Sequence, residues 1–237
     1  MSLIERLKVE LMSETTFGSD KMSHEDVDNE VVCDEFGIPY IPARTMKGLL
    51  VEEAEQFCEL LEGMKHEQAR HWRTVAQNLF GKPGSVKSSI SVGNGCIDER
   101  LKQQIHLSVQ YRRDGTVNAE RVKEERTLDW QDILDGFTTV RYQTAIDPAT
   151  GTAKKHSLRS TRVILPGWTF YADFNWLREP SDEEEVLIAI SAISVRRAGT
   201  QRNRGRGRIQ IRCIDRNDQD VTAPLLSRWE KLLGVST

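Results

Sequence analysis

The chain has 237 residues, 38% apolar and 29% charged, with a formal net charge of −3. That length and balance describe one large domain or a compact domain with a sizeable insertion; they exclude a disordered chain and an indiscriminate polyanion binder, and no apolar run approaches the about 20 residues of a membrane-spanning helix. The opening MSLIERLKVELMSE carries acids and lacks the unbroken apolar core of a signal peptide, so a cytoplasmic location and no membrane partner are expected.

Residues 3–12 alternate loosely through Leu3, Leu7, Val9 and Leu11 and read as a first strand. A polar stretch follows at 13–37, including the acidic run HEDVDNE. It is too polar for a buried element, and loops this long are usually functional or disordered. IPYIPA at 38–43 is extended, because each proline drives its predecessor out of the α region. Thr45 then caps a helix to about Leu61, with Met46, Leu49, Leu50, Ala54, Phe57, Leu60 and Leu61 on one face. A second helix, about 66–79, stops at Phe80-Gly81 with Pro83-Gly84 beyond. Segments 89–97 and 105–110 read as strands.

The stretch 112–163 is polar and carries the turn DPATG at 147–151 between VRYQTAI and LRSTRVI, which predicts a long surface hairpin with basic and aromatic arms. Residues 168–177 alternate, with Phe170, Ala172, Phe174 and Trp176 on one face. Ser181 to Glu184 form a capping box opening a helix to about Ala198, with Val186, Leu187, Ile190, Ile193 and Ser194 toward the core. Arg196 and Arg197 at its end suit the helix dipole, and Gly199 stops it. Ile209 and Ile211 make a last strand, and a short helix at about 223–233 follows. The core order is strand, helix, strand, strand, helix, strand. This is an α+β, RRM- or ferredoxin-like arrangement, read as a single domain over 1–237 with insertions at 13–37 and 112–163.

Charge is distributed unevenly. RRAGTQRNRGRGRIQIR at 196–212 holds seven arginines and no acid, a local basic patch that points to one directed nucleic-acid face. Within it, GTQRNRGRGR supplies glycines for close backbone approach and arginines for phosphate. The helix N-terminus after IPYIPA, supplemented by Arg44 and Lys47, is equally a phosphate site or a plain helix start. The cysteines Cys33, Cys58, Cys96 and Cys213 are scattered, form no C-x-x-C pair and read as free thiols. His24, His66 and His71 have no evident partner for acid–base work. No Walker loop, nucleophile elbow or metal-ligand spacing appears, and the aromatic motif of a generic RRM protein is absent.

The succession FGSD, VDNEVVCDEFGIPYIPARTMKGLL, LFGKPGSVKSSISVGNG, VRYQTAIDPATG and RRAGTQRNRGRGRI resembles the RAMP superfamily of CRISPR-associated proteins. It looks most like the Cas7 group, the Csm-three-like and Cmr-four-like backbone subunits of type III effector complexes, over nearly the whole chain. The resemblance implies an RRM-like palm with a β-hairpin thumb at 139–163, contributing Arg141, Gln143 and Arg159. It further implies a guide-RNA-lining helix start at Pro42, Arg44, Thr45, Lys47 and Gly48. The glycine-rich loop would add Arg202, Arg204, Gly205, Arg206 and Gly207 as RNA contacts. Asp28, in Val27-Asp28-Asn29-Glu30-Val31, matches the aspartate of target-cleaving members, and Asp26 and Asp34 are the nearby acids that compete with it. Relatives carry glycines just before that aspartate, where this chain has Met22-Ser23-His24-Glu25.

By the same resemblance Asp28 would hold Mg²⁺ or orient an RNA 2′-hydroxyl for in-line attack, making the chain a metal-dependent endoribonuclease with no tightly bound cofactor. The implied partners are guide RNA, complementary target RNA and the other effector subunits: a Cas10-like subunit, further RAMP subunits and small subunits. Two alternatives stand beside this: a purely architectural subunit such as a Cas5-like guide-end cap, and a Cas6-like guide-processing endonuclease.

Overall fold

The computed structural model describes residues 3–18, 27–82, 84–113, 128–154, 156–202 and 205–232. In chain order the elements are β1 (Arg6–Leu11), α1 (Ala43–Gly63), α2 (Ala69–Phe80), β2 (Ile90–Val92), α3 (Glu99–Arg113), α4 (Trp130–Phe137), β3 (Thr138–Gln143), β4 (Arg159–Ile164), β5 (Thr169–Trp176), α5 (Asp182–Ser194), β6 (Ile209–Ile214) and α6 (Thr222–Leu232). Among the described residues no helix is long and apolar enough to cross a membrane.

β1 is the centre of a four-stranded sheet ordered β2-β5-β1-β6, antiparallel throughout. Its period-two pattern fixes the register: Val9 lies opposite Phe170 on one side and Ile211 on the other. Leu7, Val9, Leu11, Phe170, Ala172, Phe174 and Ile211 are buried on the face that α1 and α5 cover. The opposite face carries Arg6, Lys8, Glu10, Tyr171 and Arg212, none of them buried. Phe57, Trp72 and Trp229 knit α1, α2 and α6 together, with ring centroids 5.0–5.7 Å apart.

The capping box of α5 forms as the sequence predicts. Ser181 Oγ accepts from the Glu184 amide and the Glu184 carboxylate accepts from the Ser181 amide. The helix is shorter than expected, however. Val195 is extended and buried, so Arg196 and Arg197 lie outside α5 and run beside 207–209, with Arg197 bridging to Arg208. Ile193 is exposed, and Ile188, Ala189 and Ala192 take the core positions instead. Likewise Leu60 of α1 is exposed and Cys58 is buried.

Three other expectations change. Residues 105–110 belong to helix α3, because Leu101, Ile105 and Val109 recur at i, i+4 and i+8 and Asp98 Oδ1 accepts from the Arg100 and Leu101 amides. Thr45 does not cap α1: Pro42 is the N-cap residue, and Asn94 Oδ1 accepts from the Ala43 amide at 2.8 Å. The insertion at 112–163 is not all surface hairpin, since α4 is capped reciprocally by Asp129 and Asp132 and buries Ile133, Leu134 and Phe137. The hairpin itself forms, as β3 paired with β4, with Ile146 bridging Ala153 near the tip.

The polar stretch 13–37 is also more embedded than its composition suggests. Thr15, Thr16, Phe17 and Val31 are buried. The threonines tolerate this because their hydroxyls donate to the Ser13 and Arg162 carbonyls, both at 2.9 Å.

Candidate nucleic-acid interface

The segment leaving β1 is clasped between two partners. On one side it meets β4, where Thr15 and Ile164 exchange both backbone hydrogen bonds at 3.1 and 2.8 Å. On the other it meets the arginine–glycine loop, where Met12, Glu14 and Thr16 bond Arg208, Gly207 and Thr200 through the backbone at 2.8–2.9 Å. Hairpin, post-β1 segment and loop therefore lie side by side.

Two of the loop's glycines are explained by that packing. Gly199 has φ +82°, and a Cβ there would stand 2.5 Å from the Thr16 carbonyl oxygen. Gly207 has φ +75°, and a Cβ would overlap the carbonyl oxygen of Ala198. Close approach is needed here to the chain's own backbone. Gly205, at φ +81°, has open space around it.

Side chains tie the same three segments together. Glu14 Oε1 accepts from Arg141 Nε of β3 at 2.9 Å, and Glu14 Oε2 lies 3.7 Å from Arg206 Nε of the loop. Arg206 also donates to Gln201 Oε1 at 3.3 Å, and Arg197 donates to the Arg202 carbonyl. Arg202 reaches Glu52 of α1 at 3.4 Å, which links the loop to the helix bearing Gly48, an exposed glycine with nothing within 4 Å of a Cβ position.

Asp28 stands at the hairpin. Its Oδ2 accepts from the Ser160 amide at 2.7 Å and from the Ser160 hydroxyl at 3.2 Å, while the Asp28 amide donates to Ser160 Oγ at 3.0 Å. These bonds, the backbone one first, and then the charge of Arg159 hold the Asp28 carboxyl below the usual range, so it is anionic at neutral pH. Next to it, Asn29 bridges Thr161 of β4. Arg162 is 4% exposed, with Nε 2.9 Å from Glu30 and Nη1 3.0 Å from Asp135 of α4. Arg162 thus clamps the Asp28 segment onto β4.

The predicted contacts fall into two groups. Arg141 and Arg206 meet at Glu14, while Gln143 and Arg159 pair at the tip-side end of the β3–β4 ladder, where the Arg159 charge acts on Asp28. The α1 start is a second place: Arg44 is exposed and Thr45 half-buried, while Lys47 donates to Ser88 Oγ at 2.9 Å and burial pushes its ammonium pKa down. Arg204, His24 and Asp26 lie outside the described residues. Asp34 accepts from the Phe36 and Ile38 amides and shapes a turn. His66 Nδ1 accepts from the Gln68 amide, and His71 lies 4.0 Å from Glu183. All four cysteines are free, as expected.

Sequence reasoning missed Glu14, Ser160 and Arg162. Ser160 and Arg162 sit inside the LRSTRVI arm with nothing local to mark them. Tyr142, the aromatic of the VRYQTAI arm, lies opposite Ser160 and is exposed on the hairpin with Ile146 and Leu158.

Among the described residues no group of three His, Cys, Asp or Glu can hold a metal ion. Asp28 has one oxygen committed to Ser160, so the described residues do not fit a resident Mg²⁺ site.

In comparison with known proteins, the RAMP superfamily matches residues 8–235. No curated protein matches the chain. Similar solved structures include a chain of the type III-B Cmr-beta cryo-EM structure bound to cognate target RNA, with TM-score 0.59 and 11% identity, covering 89% of this chain and 96% of that one. A chain of Cmr-beta in the apo state aligns with TM-score 0.61 and 12% identity, covering 90% and 97%. Likeness at such identities concerns the fold.

Proposed function

The chain belongs to the RAMP superfamily, and we propose that it is a Cas7-like backbone subunit of a type III CRISPR effector complex, holding guide RNA along one face. The β2-β5-β1-β6 order, with α1 after the first sheet strand and α5 after the third, supports a ferredoxin-like palm. The β3–β4 hairpin is its thumb. The observation that carries the reading is the placement of that hairpin beside the arginine–glycine loop, joined through Glu14 between Arg141 and Arg206. Two basic segments far apart in sequence thereby offer one strip to an RNA backbone, in line with phosphate contacts that position without reading bases.

Cleavage of target RNA is assigned to Asp28. Ser160 fixes one carboxylate oxygen and leaves the other without a partner among the described residues. With its pKa lowered, Asp28 is a weak base; its role is to accept a hydrogen bond from the attacking 2′-hydroxyl and orient it.

Expression in a cell carrying the guide array and sister subunits tests the reading. The purified chain is expected to bring down RNA of defined length together with those subunits. Recovery without RNA contradicts the proposal, protection of one guide end alone indicates a cap, and metal-independent cutting of repeat RNA by the isolated chain indicates a processing enzyme. Asp28→Ala in the assembled complex is expected to abolish target cleavage with assembly intact; unchanged cleavage removes Asp28 from the site.

A further inference from the structure

Glu14 is the acid that the hairpin and the arginine–glycine loop share. Its Oε1 takes the Nε and Nη2 edge of Arg141 at 2.9 and 2.5 Å, and its Oε2 faces Arg206 Nε at 3.7 Å. Side-chain exposure rises from 14% at Arg206 through 23% at Glu14 to 49% at Arg141. An anion arriving from solvent therefore meets Arg141 first, with the carboxylate behind it.

Two consequences oppose each other. The carboxylate removes one unit of positive charge from the junction and repels any polyanion that comes near. It also holds the Arg141 guanidinium in one orientation, so a partner that must meet Arg141 at a fixed position does not have to freeze a free side chain. A loosely held polyanion feels only the first effect. A docked RNA backbone feels both, and at a surface the two are of similar size.

We propose that Glu14 is the specificity-determining residue of this surface, discriminating a docked RNA backbone from a loose polyanion. Excluding the wrong ligand by a placed like charge is a general route to selectivity. The inference rests on the RNA-binding reading above.

The test compares the full chain with Glu14→Gln by fluorescence anisotropy across a salt series, using single-stranded RNA of about 30 nucleotides and a short polyphosphate as probes. Glu14→Gln is expected to bind polyphosphate about fivefold tighter, with a salt slope steeper by about 0.7 to 0.9. RNA affinity is expected to change by less than about twofold, so selectivity falls roughly fivefold. Equal tightening on both probes overturns the proposal and leaves Glu14 a simple charge. Weaker binding on both assigns it a structural role and overturns the proposal equally. Arg141→Gln is the second variant: it is expected to weaken RNA binding, and in its background Glu14→Gln is expected to tighten RNA and polyphosphate alike, because no guanidinium is left there to orient; RNA affinity that stays unchanged in that background contradicts the mechanism. Absence of RNA affinity in the unmodified chain refutes the functional reading itself, a result distinct from any change at Glu14.

Discussion

Asp28 and Ser160 share three hydrogen bonds: the Ser160 amide and hydroxyl both donate to the Asp28 carboxylate, and the Asp28 amide donates back to Ser160 Oγ. The pair fixes the segment after β1 to the hairpin and keeps the carboxyl ionised. A carboxyl whose pKa is lower folded than unfolded adds stability above its unfolded pKa and loses it as pH falls through the folded one. Asp28→Asn is therefore expected to lower stability at neutral pH, with the difference shrinking below about pH 4. Urea denaturation of both proteins at the two pH values checks this; a gap that persists in acid contradicts it.

Arg162→Met is expected to destabilise the fold by roughly 3 kcal/mol, because it strands the half-enclosed Glu30 carboxylate without its buried cation. Arg162→Lys keeps a charge but cannot fork between Glu30 and Asp135, so it is expected to fall between the two. Urea midpoints read both variants, and a loss below about 1 kcal/mol for Arg162→Met would place that guanidinium outside the clamp.

Trp72 is fully buried where α1, α2 and α6 meet. Trp72→Ala leaves a cavity that Phe57 and Trp229 can only partly fill, and is expected to cost about 3–5 kcal/mol with RNA binding retained below the melting temperature. Loss of RNA affinity in folded protein would place the aromatic cluster nearer the RNA than its position behind the sheet allows.

Thiol reactivity follows burial. Cys213 is buried and its thiol is pushed up to about 12, by desolvation first and then by the Asp220 charge. It stays protonated to about pH 10 in the native protein and is expected to react only on unfolding. Cys33 and Cys96 are half-buried and are expected to react ahead of Cys58 and Cys213; mass spectrometry of timed alkylation gives the order.

What the sequence reveals depends on how local the cause is. The Ser181 box is written within four residues and forms as expected. The 105–110 segment fails because a short apolar window hides the four-residue spacing that begins at Leu101. The hairpin and the basic loop are legible because turn chemistry and charge clustering are local signals. Glu14 is not, since Arg141 lies 127 residues away and no pattern near Glu14 announces it. The loop's glycines read as places of close approach to a ligand, whereas Gly199 and Gly207 approach the chain's own carbonyls.

Ultraviolet crosslinking of the chain to guide-length single-stranded RNA, with the attached peptides identified by mass spectrometry, tests the central claim most directly. Crosslinks are expected in the 139–163 hairpin, with Tyr142 foremost, and in the 196–212 loop. Crosslinks confined instead to Lys8, Tyr171 and Arg212 would put the RNA on the uncovered face of the sheet and contradict the account.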